Sequence, residues 1–127
     1  MDHKQVGRYW NANAAAWTKL ARAGYDTYRD CLNTPAFFAL LPPIDGLLGL
    51  DIGCGEGYNT RLLAERDARV VAVDIAEMFI RQGQALERRA PSRIRNGGIS
   101  YNVASAVELP FAPATFDFAT AFMSFMD

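Results

Sequence analysis

Several things are scarce in this sequence. It holds two cysteines, Cys31 and Cys54, and one histidine, His3. Widely separated single residues of these types make neither a metal-ligand pattern nor a disulfide framework, so no metal site is expected and a reduced setting is. No apolar run approaches the roughly 20 residues of a membrane span. The start, Met1-Asp2-His3-Lys4-Gln5, has no apolar stretch behind it, which argues against a secretory signal. These absences make a cytoplasmic location the expectation. Charge of one sign is missing too: 13 Lys and Arg face 14 Asp and Glu, for a net charge of −1. That balance offers no general attraction to nucleic acid or an anionic membrane, and neither is expected as a partner, although a local patch could still serve one. There is no internal repeat and no low-complexity tract.

What is present suits one α/β domain. Half of the 127 residues are hydrophobic, enough for a core. The first forty read as helix. Trp10, Ala14, Trp17, Leu20 and Ala21 recur at helical spacing and give one apolar face, with the two tryptophans read as core packing. His3 is expected in a frayed, solvated terminus. Gly24 interrupts the helix, and residues 25–31 suit a further short turn. Thr34 and Pro35 look like a helix start, the hydroxyl capping and the ring at the first position, with the helix ending at Pro42-Pro43. Beyond Asp45-Gly46 the pattern changes. Residues 47–52, 69–74, 99–104 and 116–123 are short apolar or β-branched runs suited to buried strands. Helical stretches at 58–66 and 76–89 alternate with them, and 91–98 reads as a loop whose Arg93 and Arg95 form a solvated face with Arg88 and Arg89. Alternation of this kind predicts βαβ units and a parallel sheet. Right-handed crossovers place the first strand centrally, in the order 3-2-1-4.

The informative segment is Leu50-Asp51-Ile52-Gly53-Cys54-Gly55-Glu56-Gly57, between a predicted strand and a predicted helix. Glycines there allow a tight turn and let a ligand approach the backbone. Asp74 closes the second strand, 23 residues after Asp51. A carboxylate at that place overhangs the crevice of a doubly wound sheet and can accept hydrogen bonds from both ribose hydroxyls of a nucleoside. The dinucleotide fingerprint G-x-G-x-x-G does not fit, because Tyr58 stands where its last glycine would be. The Walker spacing and its lysine are absent as well.

In this context Asp51-Ile-Gly53-Cys-Gly55-Glu-Gly57 resembles motif I of class I S-adenosylmethionine (SAM)-dependent methyltransferases. Within them the chain is most similar to the methyltransferase type 11 group, which includes ubiquinone- and menaquinone-biosynthesis-like enzymes. Glu108-Leu109-Pro110-Phe111 through Thr115-Phe116-Asp117 resembles the family segment that leads into the fourth strand.

The resemblance implies a Rossmann-like fold, SAM as cofactor and methyl transfer to a small-molecule acceptor. Gly53, Gly55 and Gly57, with Cys54 filling the loop, would pass beneath the methionine moiety. Asp51 would lie near the cofactor amino group, directly or through water. Asp74 would hold the ribose, and Ile75 would pack on one adenine face. Ala106 and Val107 would line the adenine pocket beside Ser105, where family members often carry an acid. A hydroxyl there accepts a hydrogen bond but brings no charge. Met123 would border the sulfonium and acceptor region. Tyr25 and Arg29 resemble a segment that closes over the cofactor, with Arg29 pairing the methionine carboxylate. No catalytic residue is assigned. Transfer from a sulfonium is an in-line displacement that needs alignment first, and a base only if the acceptor must lose a proton.

On this reading residues 1–45 form an N-terminal helical cap, and 46–127 form the first half of a SAM-binding domain whose complete family fold has seven strands. The fourth strand would then be an open edge, and self-association through residues 116–125, rich in phenylalanine, is expected. Two other functions stay open: a SAM- or nucleoside-binding module without catalysis, and a nicotinamide-dependent oxidoreductase.

Overall fold

The computed structural model describes residues 2–90 and 98–122. Its elements are helix α1 (His3–Arg22), a π-helical turn (Arg29–Asn33), α2 (Thr34–Leu40), β1 (Leu48–Ile52), α3 (Tyr58–Glu65), β2 (Arg69–Asp74), α4 (Glu77–Arg89), β3 (Ile99–Val103) and β4 (Phe118–Ala121). The sheet is parallel and ordered β3-β2-β1-β4, as the alternation predicts. Register pairs Leu50 with Val71 on one side and with Ala119 on the other. All four strands therefore point their carboxyl ends the same way, and the loops that follow them gather along one ridge.

Three clusters hold the layers together. Phe38 and Ile44 pack with Leu63, Ala68 and Val70, which fixes α2 and α3 against the sheet. Ala64, Ala72, Ile80, Ile99 and Tyr101 fill the space between α3, α4 and the sheet. Ala14 meets Ala76 and Phe79, with Trp10 and Met78 at the rim, and this docks α1 on α4.

The N-terminal helices depart from expectation in three ways. The buried face of α1 is Gly7, Ala14, Thr18 and Ala21, so small residues let the helix lie close to its neighbours. Trp17 is 46% exposed and Leu20 51%, which corrects the reading of Trp17 as core; Trp10 alone of the two tryptophans packs inward, against Phe79. The terminus is not frayed at His3. Asp2 and Gln5 form a reciprocal capping box that starts α1 at His3. Thr34 does not cap. Helical backbone runs into it from the π-turn, and its hydroxyl donates to Asn59 Oδ1 at 3.0 Å instead. β4 begins at Phe118 and not at the expected 116; just ahead of it the Asp117 side chain accepts the Leu48 N–H at 2.8 Å. The basic segment at Arg93 and Arg95, Met123 and the phenylalanine at 125 lie outside the described residues.

Candidate cofactor site

The glycine loop leaves β1 and folds over the end of β2: the N–H groups of Gly53 and Cys54 both donate to Val73 O, at 2.8 and 3.0 Å. Gly53, Gly55 and Gly57 have φ of +70°, +57° and +99°, the left-handed region where a side chain is strained. The glycines differ in what surrounds them. Among the described residues, a Cβ on Gly55 would meet nothing within 4 Å. A Cβ on Gly57 would collide with Tyr101 Oη. Gly57 thus faces the core, where the Tyr101 ring from β3 slides beneath the loop.

Asp74 joins three loops. Its Oδ2 accepts the Gly55 N–H and its Oδ1 the Ala76 N–H, both at 2.9 Å, while its backbone carbonyl takes the Ala104 N–H at 3.0 Å. The Ile75 N–H is a third backbone partner, so about one lone-pair site of the carboxylate is left over. Burial raises its pKa above the ordinary range, and the hydrogen bonds from Ala76 and Gly55 oppose that rise. Asp51 lies deeper, 3% exposed, and accepts hydroxyl hydrogen bonds from Thr60 at 2.7 Å and Thr120 at 2.9 Å. Burial pushes its pKa to about 6 despite both threonines, and the Asp74 charge adds to the rise. The two aspartates therefore make a negative region under the loop. Burial and these same acids hold the Cys54 thiol protonated, which matches a loop-filling role and not a nucleophile.

Of the other expected contacts, Ile75 and residues 105–107 follow β2 and β3 at the same ridge. Ser105, Ala106 and Val107 form a turn after β3 next to Asp74, in which Ser105 Oγ accepts the Val107 N–H at 3.3 Å. Val107 is 69% exposed and can line an open crevice. Ile75 touches α1, against Gly7. Arg29 does reach the loop's neighbourhood: its guanidinium stacks 3.9 Å from the Tyr58 ring centroid, at the first residue of α3, and pairs with Asp30 at 2.8 Å.

Sequence reasoning missed Glu56, Arg22 and Arg61. Glu56 sits inside the glycine loop yet is 4% exposed. Arg61 Nη2 spans both its oxygens at 3.1 and 3.0 Å, and Arg22 Nε reaches Oε2 at 3.0 Å. A charged residue between two glycines reads as solvated, and its arginine on α1 lies 34 positions away, so no local pattern exposes the pair.

A family model for the methyltransferase domain matches residues 50–127. The chain belongs to that family. A probable ribosomal RNA small subunit methyltransferase A from Methanospirillum hungatei is 39% identical over 70 residues, covering 55% of this chain and 26% of that protein. A demethylmenaquinone methyltransferase from Thermobifida fusca is 34% identical over 85 residues, 67% of this chain and 34% of that one. The crystal structure of a SAM-dependent methyltransferase from Mesorhizobium loti superposes with a TM-score of 0.58 at 32% identity, over 68% of this chain and 38% of that chain. The chain thus spans between a quarter and two fifths of the length of these proteins. Its four parallel strands and glycine loop are those of the Rossmann-like SAM methyltransferase fold.

Proposed function

We propose that this chain is the cofactor-binding portion of a SAM-dependent methyltransferase that acts on a small-molecule acceptor. The observation that carries the reading is the join between Asp74 and Gly55. The carboxylate suited to a ribose is bonded to the one loop glycine shown to have open space above its Cα. The surroundings fit SAM chemically. A ligand with an ammonium and a sulfonium meets a buried negative region from Asp51 and Asp74, and its charge favours their ionised forms. Among the described residues, nothing lies within 4 Å of a Cβ placed on Gly55.

In this reading Gly53, Cys54, Gly55 and Gly57 form the floor beneath the amino-acid moiety. Asp74 accepts from a ribose hydroxyl with the lone-pair site its three backbone donors leave. Ile75, Ser105, Ala106 and Val107 flank the adenine. Asp51 supplies negative charge from below through the loop, and Arg29 leaves Asp30 for the ligand carboxylate. Met123 borders the acceptor side. Residues 1–45 act as the cap and 46–127 as the first half of the domain. When bound, SAM supplies a methyl group already activated on sulfur; the chain's part is to fix its direction.

Titration with S-adenosylhomocysteine (SAH) and with NADH tests the cofactor. Binding of the first and not the second is expected; the reverse would return the nicotinamide reading. A methyl-donor turnover assay on the protein then separates an enzyme from a binding module, and a panel of phenolic, amine and RNA acceptors tests the acceptor class. Methylation of RNA alone would overturn the small-molecule reading. No helix among the described residues is long and apolar enough to cross a membrane.

A further inference from the structure

Besides the Ala14 contact with α4, helix α1 is tied at two places that bracket the cofactor loops. Near its start, Gly7 lies against Ile75, where a Cβ would be 2.9 Å from Ile75 Cγ1, and Asn11 Oδ1 accepts the Met78 N–H at 2.8 Å. That second contact matters because α4 has no side-chain cap from its own N-cap residue, Ala76. α1 caps it from outside. The helix thereby holds the turn 74–78 that follows Asp74. At its other end, Arg22 Nε binds Glu56 Oε2 at 3.0 Å, and Arg22 Nη2 binds Gln82 O of α4 at 3.3 Å. Fifteen residues of helix separate Gly7 from Arg22, about 22 Å. α1 is a rigid strut between the β2–α4 turn and the glycine loop.

Glu56 makes this strut selective for the loop. Its other described cation, Arg61, belongs to α3, which continues directly from the loop, and also donates to the Glu56 carbonyl. Arg22 is the cation that joins the loop to a different part of the molecule. A carboxylate that is 4% exposed is costly to leave half-paired, so the loop position and the α1 position are tied.

We infer that Arg22 is a positioning residue for the cofactor site: through Glu56 it sets the glycine loop against Asp74, so that docking of α1 and binding of the cofactor reinforce each other. The inference rests on the reading that SAM binds above residues 53–57. Coupling of this kind is reciprocal, so ligand must also hold the helix.

The test is SAH titration by calorimetry, with hydrogen exchange of α1 followed in the same proteins. Arg22→Gln is expected to weaken SAH binding about tenfold, within the usual range of coupling. Arg22→Lys keeps a charge without the fork and is expected to recover part of that loss. Saturating SAH should slow exchange at residues 14–22 in the parent and do so less in Arg22→Gln. Arg81→Gln removes an exposed arginine pair on α4 and should change neither readout. If Arg22→Gln lowers the melting temperature and yet binds SAH as the parent does, Arg22 is merely structural and the inference falls. If Arg22→Gln fails to fold, the exchange arm decides on the parent alone: α1 amides indifferent to SAH overturn the coupling. A parent chain that does not bind SAH overturns the cofactor reading itself, and this inference with it.

Discussion

The two faces of the glycine loop do different work with the same residue type. The upper face carries Gly55, open above its Cα and bonded to Asp74. The lower face carries Gly57, closed against Tyr101, and beneath it Asp51 with its two threonines. Read as letters, the glycines of motif I are equivalent. Read as geometry, one leaves room for a ligand and another leaves room for a core aromatic. Substitutions should therefore split into those that hurt folding and those that hurt binding.

Gly57→Ala should have the largest effect. The new methyl would need φ of +99° and would collide with a ring wedged between Gly57 and Gly83. Strain and overpacking together should destabilise the chain by about 3 kcal/mol, seen as a fall in chemical-denaturation midpoint. A second variant, Gly57→Ala with Tyr101→Phe, relieves the nearest atom and should regain part of the loss.

Asp51→Asn should come next, as a change in pH dependence. Burial pushes the Asp51 pKa up to about 6 from its ordinary 3.8, so between these values the folded chain binds more protons than the unfolded one. Stability therefore falls as pH rises from about 4 to about 6, by roughly 2–3 kcal/mol for this group. Asp74 shifts in the same direction. Asparagine in place of Asp51 should flatten that slope, measured as melting temperature from pH 4 to 7. An unchanged slope would place the proton elsewhere.

Gly55→Ala should be the mildest toward folding and the more telling toward ligand. Its φ of +57° suits a short left-handed excursion, and a methyl there meets open space. The fold should lose about 1 kcal/mol. SAH affinity should fall at least tenfold, because the methyl occupies the ligand's approach. Equal losses of stability and affinity in the two glycine variants would erase the distinction between the faces.

The sheet itself was legible because the strands are short apolar runs that end at glycine, aspartate or turn residues, with helical spacing between them. Leu50, Val70 and Val73 are buried as such runs require. The same logic placed Gly55 and Asp74 together without any contact in view. It failed on α1, where apolar character and burial part company: Trp17 and Leu20 face outward while Gly7 and Thr18 face inward. Close packing against Ile75 selects small side chains, and hydrophobic periodicity does not count those. It failed again at Glu56, whose burial depends on Arg22 arriving from another element. Thr34 misled for a further reason: its backbone already continues a π-helical turn, so its hydroxyl was free to reach Asn59.

The central claim is that the join of Asp74 to the open loop is a SAM site, and Asp74→Ala in an SAH titration tests it most directly. The parent should bind SAH at one site. The variant should bind more weakly by about 1–3 kcal/mol, from the loss of hydrogen bonds to a charged group. Melting temperature reports separately on the loosened Gly55 N–H. Unchanged SAH affinity in a folded Asp74→Ala chain would contradict the account.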